Sequence, residues 1–438
     1  MKSRFWLITT LVYVSVLLMV GSEKGAVVSS SAAVADLTCA SSMTLESLAT
    51  CIRKQMPQSG SNGFVAPNAI EQADWRAVVK QMLQGSCDFT LPASLSGIMQ
   101  IRTFTDSANG RNYCVLLEVR DANGDGSVDR GWGTFIVNND AMRELSHQAP
   151  HPISDSTTEM QALTIFKETD SRSYLMAGAH RDANAANSTC QNSTCQGSHK
   201  EADAAHNTAT MFHATNQELI DWYGTASWHA IQWHGMAADT CPSTDVYPSH
   251  GMNVTPLATD TISVLRDNLL VHHPTWHVDL PGADACSLNA TDNTQGRLIN
   301  GVPAGSVCCI PASSYNGRFI HVEQDPNFRN PWDWVNPVRD TWPIRKPPAA
   351  PTCLTAAAGS GKITLNWNGP LSGAKGYNVK RSTATGGPYK TVATGVTSTT
   401  YTNTGLRPGV TYYYVATALN DAGESGHSNQ ASAKARRL

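Results

Sequence analysis

Charge is scarce in this chain. Only 15% of its 438 residues are Asp, Glu, Lys or Arg, and the net charge is −3. With neither a basic patch nor a strong acidic balance, composition offers no electrostatic ground for binding nucleic acid or an anionic membrane. Long apolar runs are missing too, apart from one at the very start, so no later segment reads as a membrane span. Short catalytic signatures are equally absent. There is no G-x-S-x-G elbow of a serine hydrolase, no P-loop and no G-x-G-x-x-G. No R-H-G supplies a histidine nucleophile, and no C-x-x-C pair offers a cysteine-bound zinc.

What is present begins at the N-terminus. Lys2 and Arg4 precede the apolar run "FWLITTLVYVSVLLMV", and "AVA" at 33–35 offers small residues just before Asp36. A positive start, an apolar centre too short to span a bilayer and an A-x-A-like site together read as a signal peptide over 1–35. The expected location is therefore secreted or periplasmic, with no membrane contact after cleavage. Eleven cysteines fit an oxidising compartment, and their odd number leaves one thiol over. Local pairing is expected for Cys39 with Cys51, Cys87 with Cys114 and Cys190 with Cys195, while adjacent Cys308 and Cys309 each reach elsewhere. Sequons begin at Asn187, Asn192, Asn253 and Asn289.

The chain divides by composition. "WPIRKPPAAPTC" is a stiff proline-rich linker. Beyond it, "KITLNWN", "GYNVKRS" and "TYYYVATALN" are short runs split by Gly, Pro and Asn turns, an all-β sandwich pattern. Trp367, Tyr377 and "LRPGVTYYYV", whose Tyr412 falls at a tyrosine-corner position, make residues 348–438 resemble a fibronectin type III domain. The resemblance implies a spacer or a module touching a cell surface or polysaccharide; no RGD loop is present. Residues 36–105 read as a small helical region, since "TLESLATCIRKQM" and "ADWRAVVKQMLQG" space their apolar residues three and four apart.

From 106 to 345 the pattern becomes α/β. "NYCVLLEV", "GTFIVN", "SYLMAGA", "HAIQW" and "GRFIHVE" read as strands. "TTEMQALTIFKET" and the longer "EADAAHNTATMFHATNQELIDW" read as helices. The expectation is a largely parallel sheet flanked by helices. Ligands of such sheets bind at the carboxyl ends of the strands, so the residues just beyond each strand are the candidates. His180, Arg181 and Asp182 come after one, His234 after another, Glu323 ends a third, and His151 and Asp155 precede the first helix.

Four segments thus bring a histidine or carboxylate to one rim, which points to a zinc hydrolase. Zinc takes imidazole nitrogen and carboxylate oxygen, and a catalytic site keeps one position open. His151, Asp155 and His234 are the expected ligands, with Glu323 as general base. Glu159 is the rival to Asp155, although "STTE" at 156–159 also reads as a capping box that would occupy it. Arg181 is placed to grip a substrate carboxylate, or to form a surface ion pair with Asp182. His180 is a further ligand or carbonyl polariser, and His206 reaches the site from the start of the long helix, on whose polar stripe His213 also lies. "DANGDGSVDRG" places Asp121, Asn123, Asp125 and Asp129 at calcium-loop positions, but Trp132 stands where the bidentate glutamate belongs. The loop is either a calcium site or a polar hairpin.

The succession "APHP", "GAHRDAN", "AAHNTATMFHA", "IQWHGM" and "STDVYPSHG" resembles N-formylglutamate amidohydrolases and related carboxypeptidase-like zinc enzymes over about 145–330. The compact H-x-x-E pair of carboxypeptidases is replaced by His151-x-x-x-Asp155. The resemblance implies hydrolysis of an amide or peptide bond with one zinc, on a peptide-like or polymeric substrate such as cell-wall peptide or a glutamate-containing polymer. A non-catalytic adhesion or structural protein is the alternative from another class, and a metal-independent hydrolase a third. Metal content separates the first from the others.

Overall fold

The computed structural model describes residues 37–190, 199–282 and 286–437. The expected signal peptide lies outside the described residues. In chain order the first part forms α1 (Leu45–Lys54), α2 (Ala69–Leu83), β1 (Met99–Thr105), β2 (Asn112–Glu118), β3 (Thr134–Val137) and β4 (Arg143–Ala149). It continues with α3 (Thr158–Glu168), β5 (Ser171–Met176), α4 (Met211–Tyr223), β6 (His229–Trp233), β7 (Val246–Ser249), α5 (Thr261–His272), α6 (Thr294–Ile299), β8 (Phe319–Gln324) and α7 (Pro331–Thr341).

One eight-stranded sheet joins all these strands in the order β1-β2-β3-β5-β4-β6-β8-β7. Four adjacent strands, β5, β4, β6 and β8, run parallel. The others pair antiparallel. The sheet is therefore mixed, not largely parallel. A parallel neighbour needs a crossover, usually a helix, whereas an antiparallel one needs only a turn. No helix separates β1, β2 and β3, so they fold as a meander. The sheet also reaches back to residue 99, so the N-terminal helical stretch ends in its edge strand.

Helices cover both faces. α1, α3, α5 and α7 pack on one core, built around Phe166, Tyr174, Trp233, Ile320 and Trp334. α2, α4 and α6 pack on the other, built around Trp75, Leu116, Phe135, Phe212 and Phe319. Double coverage explains why Tyr113 to Glu118 are buried at six successive positions instead of alternating. Between β4 and β5 the chain crosses by α3 on one face; it then returns by α4 on the other to place β6 on the opposite side of β4. The strand order reverses there, which opens a crevice above the carboxyl ends of β4 and β6.

Two local expectations fail. Residues 201–222 are not one helix: Asp203 caps a single 3-10 turn at Ala204–His206, and Thr210 then caps α4 by accepting from His213 N at 3.0 Å. Two capping residues seven apart start two elements where apolar spacing reads one. The capping box at 156–159 is also absent. Thr157 holds the N-cap position of α3 with φ 72° and no side-chain bond. Glu159 is buried and instead meets Arg53 of α1 at 3.1 Å.

Disulfides join Cys39 to Cys51 and Cys87 to Cys114 as expected, together with Cys241 to Cys286. Cys190 bonds Cys308 rather than Cys195, because folding brings their Cα atoms to 4.8 Å. Cys195 lies outside the described residues, Cys309 is disulfide-bonded, and Cys353 is free and exposed. Among the described residues no helix is long and apolar enough to cross a membrane. Asn187 and Asn253 are exposed. The sequon residue Asn289 is buried and its Oδ1 accepts from Tyr247 Oη at 2.7 Å, so the folded chain shields it.

The C-terminal part is a sandwich of two antiparallel sheets. One holds β9 (Thr352–Gly359), β10 (Lys362–Asn368) and β13 (Thr400–Asn403). The other holds β11 (Gly376–Ser382), β12 (Lys390–Val396), β14 (Thr411–Asn420), β15 (Gly423–Glu424) and β16 (Ala431–Lys434). Trp367, Tyr377 and Tyr414 fill its core. The Tyr412 hydroxyl accepts from Arg407 N at 3.1 Å, which closes a tyrosine corner.

Candidate metal centre

The crevice at the strand-order reversal is a cleft of about 660 Å³. Its lining includes His151, Asp155, Arg181, His206, His234 and Glu323. His151 and Asp155 come after β4, His234 comes after β6, and Glu323 belongs to β8. A buried bracket fixes these strand ends. Arg329 donates to the carbonyls of Ser156 at 3.0 Å, Met236 at 2.9 Å and Gln324 at 3.0 Å, one from each of the three segments. Gly235 makes room for it, since a Cβ there would lie 2.4 Å from the guanidinium. Beneath the cleft, Gln232 Nε2 donates to Gln148 Oε1 at 3.1 Å, and Asn293 Nδ2 donates to Gln232 Oε1 at 2.7 Å. This buried amide chain ties β4, β6 and the start of α6 together.

The ligand atoms of His151, Asp155 and His234 lie within 4.8 Å of one another. Asp155 Oδ2 stands 3.1 Å from His151 Nδ1 and 3.3 Å from His234 Nδ1. The other nitrogen of His151, Nε2, meets Asp203 Oδ1 at 2.9 Å. A carboxylate behind an imidazole that faces a metal is the usual way to fix its orientation. Asp203 therefore stands as orienter, with His151 Nδ1 turned toward Asp155 and His234. Arg181 Nη1 is 3.8 Å from Asp155 Oδ1 and half exposed at the rim.

Electrostatics reflect burial among these charges. Burial pushes the His151 imidazole down, yet Asp155 and Asp203 outweigh it and hold it at about 10. Burial and the nearby His321 hold His234 at about 4, neutral and ready to offer a lone pair. Burial would raise Asp155, but His151 and His234 keep its carboxyl well below the usual range. The neutral His234 and the ionised Asp155 are ready ligands for zinc, and His151 gives up a proton when it binds the ion. One orphaned atom adds to this: the buried His321 Nδ1, at the cleft wall, has no hydrogen-bond partner.

Not every expected residue arrives. His180 lies outside the cleft lining and its Nδ1 accepts from Asp182 N at 3.0 Å. Glu159 is turned to α1, which leaves Asp155 as the carboxylate beside the histidines. His213 is a buried residue of α4, and burial holds it at about 4. In the loop 121–131, Asp121 accepts from the N–H groups of Gly124, Asp125 and Gly126. Asp129 instead turns to Arg120 at 3.0 Å and to Ala122 N. With Asn123 and Asp125 these residues form a polar connection between β2 and β3.

The cleft also holds residues that the strand-end reasoning passed over. His321 belongs to β8, and its Nε2 lies 3.4 Å from Glu323 Oε1; these two and His234 form a second convergent set. The i, i+2 spacing of His321 and Glu323, which puts both on one face of a strand, was the available signal. His199 and Asp292 line the cleft with His206, whose ring lies 6.4 Å from that of His151, and His151, Asp203 and His206 converge as well.

Comparison with known proteins bears on the C-terminal sandwich. Residues 349–434 match the fibronectin type III domain family, and this stretch is a fibronectin type III domain. An amylopullulanase of Thermoanaerobacter thermohydrosulfuricus is 40% identical over 97 residues, which are 22% of this chain and 6% of that protein. One of Thermoanaerobacterium thermosulfurigenes is 40% identical over 85 residues, 19% of this chain and 4% of its own length. An Fn3-like protein from Clostridium thermocellum, solved as a crystal structure, is 46% identical and covers 21% of this chain and 96% of its own, with a TM-score of 0.19. The chain spans only a small fraction of the amylopullulanases, and those likenesses stay within the sandwich.

Proposed function

We propose that the three-layered unit is an exported zinc-dependent hydrolase of amide or peptide bonds. The observation that carries this reading is the convergence of His151, Asp155 and His234 at the strand-order reversal, with Glu323 and Arg181 in the same cleft. His151, Asp155 and His234 would hold the zinc, which would supply a Lewis acid and lower the pKa of a bound water. Glu323 would then serve as the base that takes a water proton and returns it to the leaving amine. Arg181, exposed at the rim, pairs with a carboxylate of the substrate and sets its orientation. Arg329 and Gly235 hold the strand ends in place.

The disulfides suit an oxidising, extracellular setting. For the fibronectin type III domain we propose a supporting contact with a cell surface or polysaccharide, since proteins that share it are named amylopullulanase. Cell-wall peptide or a glutamate-containing polymer is then the substrate to try first.

The test is metal content and hydrolysis by the full chain and three variants. His151→Ala and His234→Ala should each lose the ion and the activity together. Glu323→Gln should keep the ion and lose on the order of a hundredfold or more in rate. Purified protein that takes up no zinc, with unchanged folding in both histidine variants, would favour the adhesion reading. If Glu323→Gln loses the ion as well, Glu323 is a ligand in the set with His234 and His321.

A further inference from the structure

We infer that the cleft holds a second divalent-cation site beside the first, made by His199, His206 and Asp292 with Asp203 behind it. This adds an ion to the single-zinc reading and has its own test.

The geometry is a sandwich of two rings between two carboxylates. The imidazoles of His199 and His206 stack with centroids 3.6 Å apart and planes 7° from parallel. Their Nδ1 atoms face Asp203, at 3.5 Å and 3.0 Å respectively. Their Nε2 atoms face Asp292, at 3.3 Å and 3.5 Å. All three ligand atoms of this set lie within 4.8 Å of one another.

Asp203 is buried and also accepts from Ala205 N at 3.2 Å. Spacing favours a cation over a plain ion-pair ladder. Charge-assisted hydrogen bonds close to about 2.7–2.9 Å. Ligands of one tetrahedral ion, each about 2.0–2.2 Å from the metal, stand about 3.4 Å apart. The Asp292 distances match the second.

The second site is also well braced. Cys190 to Cys308 bonds the segment before His199 to the loop beyond α6. Ser188 Oγ donates to the His206 carbonyl at 2.8 Å, and Asn293, next to Asp292, caps α6 and reaches Gln232. Asp203 is common to both sites, since it also orients His151. Two ions held in one cleft can clamp a substrate between them. The ligand chemistry, two imidazole nitrogens and one carboxylate oxygen, suits zinc or cobalt rather than calcium or magnesium.

The experiment is zinc stoichiometry of the full, tag-free chain by equilibrium dialysis and elemental analysis. Cobalt substitution reports the geometry, and circular dichroism the fold. Two ions per chain are expected in the wild type. His199→Ala and Asp292→Asn should each lower this to one, and His234→Ala should lower it to one by removing the other ion. Asp292 is half exposed, so Asp292→Asn tests the site even if a histidine variant misfolds. One ion per chain that His234→Ala removes and Asp292→Asn keeps overturns the second site and leaves the first standing. Two ions retained by a folded Asp292→Asn also overturn it. No ion at all overturns both.

Discussion

His147 shows how a buried histidine can be wholly structural four residues from one that faces a cleft. Trp233 Nε1 can only donate, and it does so to His147 Nδ1 at 3.2 Å. His147 Nε2 must therefore carry the proton, which it gives to Ser171 Oγ at 3.0 Å. Ser171 in turn meets Thr169 Oγ1 at 2.7 Å, and Thr169 donates to the Ile165 carbonyl at 2.6 Å. Every polar atom in the chain is satisfied, and burial, with Arg143 nearby, holds His147 down at about 3. Its folded pKa lies below the ordinary value of about 6.5, so its stabilisation is complete above that pH and is lost as pH falls. In chelator, His147→Phe should cost about 2 kcal/mol at pH 7 by orphaning the indole N–H and a hydroxyl. The wild type alone loses about 2 kcal/mol between pH 6.5 and 5, so the difference should nearly vanish there. Urea unfolding at pH 7 and pH 5 measures this, and a cost that does not change with pH would refute the neutral assignment. His151, Asp155, His234, Arg181 and Glu323 were legible because each succeeds or ends an apolar run. His321 was not, because a strand interior hides a polar position. Asp292 and His199 lie in irregular segments with no period to expose them.

At the scale of elements, the strand ends act as one unit because Arg329 grips all three of them. This makes Gly235 a positioning residue rather than a mere turn. Gly235→Ala would force the Cβ against the guanidinium at 2.4 Å, so Arg329 must leave the Ser156, Met236 and Gln324 carbonyls. The expected result is a folded protein whose zinc affinity is about 10–100-fold weaker, by analogy with the loss of outer partners around other metal sites. Competition with a chromophoric chelator measures it, and an unchanged affinity would show that the bracket does not support the site. The strands and α3 could be read from apolar runs and spacing. The break before α4 could not, because Asp203 and Thr210 look alike as polar helix residues until one sees which backbone N–H groups they accept from. Strand direction was likewise hidden in residue pattern alone, and the missing helices between β1, β2 and β3 were its one trace.

The whole molecule joins two units of different character. The sandwich was legible as a family because its Trp367, Tyr377 and tyrosine-corner positions recur in order. The three-layered unit had to be argued from chemistry. Hydrogen bonds join them: Arg111 Nε donates to the Leu371 carbonyl at 2.8 Å, Ser372 Oγ to the Asp140 carbonyl at 2.8 Å, and Asn420 Nδ2 to the Lys346 carbonyl at 2.9 Å. None of these residues lines the cleft, so the site belongs to the three-layered unit. The central claim is that the reversal of strand order between β4 and β6 builds a metal site from His151, Asp155 and His234. An anomalous difference map at the zinc edge, from crystals of the zinc-loaded full chain, tests it most directly. The account predicts a peak within about 2.2 Å of a nitrogen of each of the two imidazoles and of an Asp155 oxygen. A zinc-loaded crystal with no peak between these three side chains would contradict it.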